Sequence, residues 1–160
     1  MSKKRKTAAW LVGVIIVCTL AFIWGNSFAT TETSSENSGA VYQAVKTTVD
    51  AVFGEDVVPV THNGVRKFAH GFEFAALGAE ICVLYILLRH PAEKRTFYGY
   101  FSLLPYGLYA AVIDEGIQIL SARGPEVKDV FIDYAGYLIA YAVFFIVFLI
   151  KRVRTKNKRD

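Results

Sequence analysis

Ten polar side chains in otherwise apolar stretches carry the chemistry available to this chain. Arg66, Lys67, His70 and Glu73 fall in one stretch; Asp114, Glu115 and Gln118 close the next; Arg123 sits in a short loop; and Asp129 and Asp133 open the last. Glu73, His70, Asp114 and Glu115 have the residue types for general acid and base work, because burial and like-charge crowding tune carboxyl groups toward neutrality. With Asp129 or Asp133 they could hold a divalent cation through oxygen ligands. Arg66 and Arg123 suit bidentate binding of phosphate, and Gln118 and the carboxylates suit hydroxyls or amines. No H-E-x-x-H, P-loop or CxxC pattern points to a standard enzyme class, and no nucleophile is obvious, although Ser121 lies close.

The spacing gathers these groups. Arg66, His70, Glu73, Leu77 and Glu80 follow one helical stripe. Asp114 and Gln118 are four apart with Glu115 beside them, and Asp129, Asp133, Gly136 and Ala140 make a third stripe. Gly71, Ala75, Ala79, Gly136 and Ala140 are small enough to let helix backbones approach closely. One polar pocket is the economical expectation. The opposing reading makes the charges ion pairs that only hold helices together. Glu80, deeper in its stretch, is the residue that would suit a proton path.

The elements that must position these groups are helical and apolar. The chain has 160 residues, 54% of them hydrophobic, in four blocks near 8–29, 65–88, 97–120 and 129–150. Each is about long enough for a bilayer core of roughly 30 Å. This predicts an all-α membrane protein with four transmembrane helices in a single domain over 1–160. A basic start before the first block could mark a cleaved leader ending at Ser27-Phe28-Ala29, but Trp10 and Trp24 read as interfacial belts of a retained span. Thr30–Gly39 reads as a polar loop, and Ala40–Val58 as a short amphipathic helix on the membrane surface, too polar to span. Pro59 and His62-Asn63-Gly64 read as a turn, and Pro105 predicts a kink in the third span. Cys18 and Cys82 lie inside apolar blocks and read as small hydrophobes, with no disulfide expected.

Charge sets the expected orientation. Thirteen of the 18 Lys and Arg residues fall in the N-terminus, the loop between the second and third blocks, and the tail. The positive-inside rule then puts both termini in the cytoplasm and the polar residues, Glu80 apart, in the outer leaflet. The net charge of +4 comes from these tails and loops, so nucleic acid is not an expected partner.

At these residues the sequence resembles the VanZ-like family of small bacterial membrane proteins. Arg66-Lys67-x-Ala69-His70-x-x-Glu73-Phe74-x-x-Leu77 is similar to the family's first signature. Asp114, Glu115, Gln118, Arg123, Asp129, Asp133 and Gly136 are similar to its second, in which Asn often stands where this chain has Asp133. The Ser-rich stretch after the first block also looks like the family. The resemblance implies a bacterial cell-membrane location, and the family is named for a protein associated with low-level resistance to the glycopeptide teicoplanin.

Three functions follow as expectations. The first is a pocket that binds or remodels a polar lipid or a cell-wall-linked headgroup. The second is a membrane-embedded enzyme acting on an envelope lipid, by acid/base or metal-assisted chemistry. The third is a structural subunit with ion-paired helices. No organic cofactor is implied, and the oligomeric state stays open.

Overall fold

The described residues form six helices: α1 Lys3–Phe28, α2 Thr31–Phe53, α3 His62–Leu88, α4 Phe97–Phe101, α5 Leu104–Leu120 and α6 Val127–Lys156. They are seen in a computed structural model that describes residues 2–28, 31–55, 57–89, 96–121 and 126–156, without the side chains of 31–38, 40, 155 and 156. No strand occurs among the described residues.

Among the described residues, three helices are long and apolar enough to cross a membrane: α1, α3, and α6 over Val127–Arg154. The expected third span is not one helix. It is broken at Ser102 and Leu103 into α4 and the 17-residue α5. Pro105 explains the place. It has no N–H to offer the Phe101 carbonyl four residues back, and α4 ends at Phe101. At 1.5 Å per residue, α5 alone is about 25 Å long, short of a roughly 30 Å hydrocarbon core. The expected kink is therefore a full break. The Tyr137 hydroxyl of α6 holds it by donating a 2.6 Å bond to the Leu103 carbonyl.

α3 is the central element, packed on α6, α1, α5 and α2. Glycines set how closely its neighbours approach. A Cβ on Gly136 of α6 would run into the Gly71 carbonyl of α3, so the two backbones touch there. One helical stretch further along, Tyr137 is fully buried in a slot framed by Gly78 and Gly107. A side chain on Gly107 would occupy the Tyr137 ring, and one on Gly78 would sit 2.7 Å from the Tyr137 carbonyl. Aromatic rings fill the bundle beyond: Tyr100 packs on Phe148 with centroids 4.6 Å apart, and on Tyr85 at 5.1 Å.

At the same end as Tyr85, Arg5 of α1 closes the C-terminus of α3. Its guanidinium donates to the carbonyls of Leu87 at 2.8 Å and Ile86 at 2.7 Å, and to that of Arg89. These are carbonyls that the end of a helix leaves without intrahelical partners, and a cation there also meets the negative end of the helix dipole.

Two further elements differ from the sequence reading. Thr31–Gly39 is not a loop; it is the first part of α2. No proline interrupts the chain before Pro59. α2 ends at Gly54, whose φ of +97° is open to glycine at little cost and whose N–H bonds the Asp50 carbonyl at 2.9 Å. Likewise His62-Asn63-Gly64 is not a turn but the first turn of α3. Thr61 caps it, its hydroxyl accepting the Gly64 N–H at 3.1 Å.

Candidate functional site

The polar residues of α3, α5 and α6 meet at the end of the bundle where α1 finishes and α3 begins. Asp114 is the most enclosed, with no exposed surface. Ser27, in the last turn of α1, donates to Asp114 Oδ1 at 2.7 Å, and Gln118 Nε2 donates to Oδ2 at 2.9 Å. The Ser121 hydroxyl lies 3.0 Å from the Ser27 carbonyl and 3.1 Å from that of Gln118, tying the end of α5 back to α1. Both oxygens of Asp114 are thus oriented, and each keeps a further lone pair.

Glu115 is also buried. Its Oε1 accepts the backbone N–H of Glu126 at 2.5 Å, immediately before α6 begins. The carboxylate caps α6 from a neighbouring helix, as the glutamate of a capping box would from within. Its Oε2 has no hydrogen-bond partner among the described residues.

α3 contributes the opposite wall. His70 Nδ1 faces Glu73 Oε2 at 3.8 Å, beyond hydrogen-bond length. One ligand atom from each of His70, Asp114 and Asp133 lies within 4.8 Å of the other two, and Asp133 is 3% exposed. A cleft opens beside this trio, lined by Arg66, Lys67, His70, Gln118, Asp129 and Asp133. Its enclosed volume is about 10 Å³, close to what one water or one ion needs.

The rim carries the cations. Lys67 bridges Asp129 at 2.6 Å and Glu126 at 3.0 Å, fastening α3 to the start of α6. Arg66 bonds Asn63 at 3.2 Å on the exposed edge. Arg123 lies outside the described residues. The structure therefore brings nine of the ten sequence-derived residues to one end: Arg66, Lys67, His70, Glu73, Asp114, Glu115, Gln118, Asp129 and Asp133. Glu80 leaves the group. A stripe on a 3.6-residue helix drifts by about 40° over fourteen residues, so Glu80 turns to α1 and accepts the Thr19 hydroxyl at 2.9 Å.

A second cavity borders the first across α3. It is an apolar groove of about 740 Å³ between α1, α2 and α3, bounded by Ile15, Phe22, Val41, Val45, Phe68 and Phe72. Glu73 is a polar exception on its wall. Residues 65, 69 and 73 face the groove while 66 and 70 face the cleft, so the two meet along one edge of α3.

The sequence profile of the VanZ/LLP1 family matches residues 12–149, a stretch that contains every residue of this site. The chain belongs to the VanZ/LLP1 family. No curated protein and no solved structure matches it. Membership and the three apolar helices together make it a VanZ-like membrane protein.

Ser27 and Thr19 escaped the reading of the sequence, and Glu126 was legible there only as one more charge. Ser27 stood out there only as part of a cleavage-like tripeptide. A Ser among apolar residues at a helix end, with a carboxylate due at similar depth on another helix, is the signal that could have found it.

Proposed function

We propose that this VanZ-like protein binds the polar headgroup of a membrane lipid, or of a lipid-linked wall precursor, at the mouth of the cleft, with an acyl chain in the adjoining groove. The observation that carries the reading is the meeting of a charged cleft and a large apolar groove along His70 and Glu73 of α3. A lipid has that same division. The cleft encloses too little space for a whole headgroup, so the headgroup rests across the rim. There Arg66 and Lys67 meet a phosphate, and the carboxylates meet amines or hydroxyls; Arg123, outside the described residues, is a further guanidinium the sequence offers.

In this reading the chain is a multi-pass protein of the bacterial cell membrane. α4 and α5 together complete a fourth crossing, both termini are cytoplasmic, and the cleft opens to the outer leaflet. α2 lies at the outer surface, where Val41 and Val45 roof the groove rather than the polar cleft. A protein that holds or rearranges outer-leaflet headgroups would change access for a lipid-anchored glycopeptide such as teicoplanin.

Native mass spectrometry of the full chain from detergent, with lipid identification, tests this against Arg66→Ala and Lys67→Met. A phosphate-bearing lipid retained by the wild type and lost from folded variants is the expected result. Equal retention in all three, or none in the wild type, defeats it.

A further inference from the structure

We infer that His70, Asp114 and Asp133 form a binding site for one divalent transition cation of the manganese or zinc type. Three independent helical anchors put their ligand atoms within 4.8 Å of one another, a spread that a single ion can bridge. His70 comes from α3, Asp114 from α5 and Asp133 from α6.

Two observations beyond the cluster point to a ligand. The first is Asp133. It is 3% exposed, it lines the cleft, and no hydrogen bond or ion pair reaches its carboxylate among the described residues. A buried carboxylate without donors is strongly disfavoured unless something positive meets it. Lys67, the amine on the same rim, is engaged by Asp129 and Glu126 instead. The second is the cleft itself, whose enclosed volume of about 10 Å³ suits an ion or its water and little else.

The surroundings fit ligation. Ser27 and Gln118 hold the two Asp114 oxygens, as hydrogen-bonded carboxylates in metal sites are held. Glu73 Oε2 stands 3.8 Å from His70 Nδ1, a carboxylate beside the imidazole but beyond hydrogen-bond length. Two carboxylates balance a dication, and one imidazole nitrogen among the donors favours manganese or zinc over the all-oxygen preference of magnesium and calcium. The site differs from the headgroup reading and does not depend on it. An ion here would sit beneath the rim, and either could exist without the other.

The test uses Mn²⁺ alone, titrated into the purified full chain in detergent, with free Mn²⁺ followed by electron paramagnetic resonance. One Mn²⁺ per chain is expected, with a nitrogen hyperfine coupling in the bound spectrum and displacement by Zn²⁺. Asp133→Asn should weaken binding at least about tenfold, and His70→Gln should also remove the nitrogen coupling. A His62→Gln, His90→Gln double variant keeps both the affinity and the coupling. It and the wild type decide the matter even where cluster variants fail to accumulate, since His70 is then the remaining histidine of three. Bound Mn²⁺ without nitrogen coupling belongs to the Asp129 and Glu126 rim and overturns the assignment. So does affinity unchanged in Asp133→Asn, or no binding at all. Lipid retention is read separately, so either result leaves the headgroup reading to its own experiment.

Discussion

Ser27 and Asp114, 87 residues apart, are joined by a 2.7 Å hydrogen bond in which neither residue has exposed surface. The bond links the end of α1 to α5 and fixes one oxygen of the deepest carboxylate in the site. A buried hydrogen bond of this kind contributes on the order of 1–2 kcal/mol. Ser27→Ala should lower stability by that amount, read as the unfolding free energy of the chain in detergent. Asp114→Asn should reduce the cost of the same Ser27→Ala change, because a neutral amide makes less of the lost donor. Equal costs in both backgrounds would mean that the bond does not couple the two residues.

The contact between Gly71 and Gly136 makes a second prediction. A Cβ on Gly136 meets backbone, which cannot turn aside as a side chain does. Gly136→Ala should therefore cost more than about 2 kcal/mol and push α3 from α6. Gly13→Ala on α1 has nothing within 4 Å of the new methyl and should be neutral, or stabilising by up to about 1 kcal/mol from helix propensity. Thermal unfolding of the two variants side by side gives the comparison.

The pairing of Gly71 with Gly136 shows what the sequence could and could not disclose. Both glycines lie on stripes that periodicity exposes, and so do Asp114, Gln118, Asp129 and Asp133. The shared face and the shared end of the bundle were therefore legible from spacing. The slot for Tyr137 was not, because Gly78 and Gly107 matter only through their position against a residue on a third helix. Glu115 presented itself as one more acid. Its role as a cap for α6 depends on where the loop returns Glu126, which no local pattern fixes. Glu80 looked like part of the polar stripe until the helical drift turned it toward Thr19. α2 was read short because Ser and Thr favour loops and caps, although nothing in Thr31–Gly39 forbids a helix.

Arg5 offers a prediction at the other end. Its guanidinium reaches the Ile86 and Leu87 carbonyls in the last turn of α3 and the Arg89 carbonyl just beyond it. Arg5→Ala should let that turn fray, seen as faster amide exchange over the last turn of α3, with little change at the N-terminal end of the same helix. Arg5→Lys should restore the protection only in part, since an ammonium lacks the planar fork that spans several acceptors.

The break between α4 and α5 gives the last prediction, and it separates two causes. Pro105 removes the donor for the Phe101 carbonyl, while the Tyr137 hydroxyl secures the Leu103 carbonyl at 2.6 Å. If proline makes the break and tyrosine only secures it, the two substitutions act differently. Tyr137→Phe keeps the ring in its glycine-lined slot and loses one buried hydrogen bond, so it should cost about 0.5–1.5 kcal/mol with the break intact. Pro105→Ala returns the missing N–H and permits a continuous helix across Ser102 and Leu103. Amide exchange there should slow in Pro105→Ala and quicken in Tyr137→Phe. The double variant should exchange slowly, because a closed helix no longer needs the tyrosine to hold its ends. Slow exchange in Tyr137→Phe alone would reverse the assignment and make the hydroxyl the cause of the break.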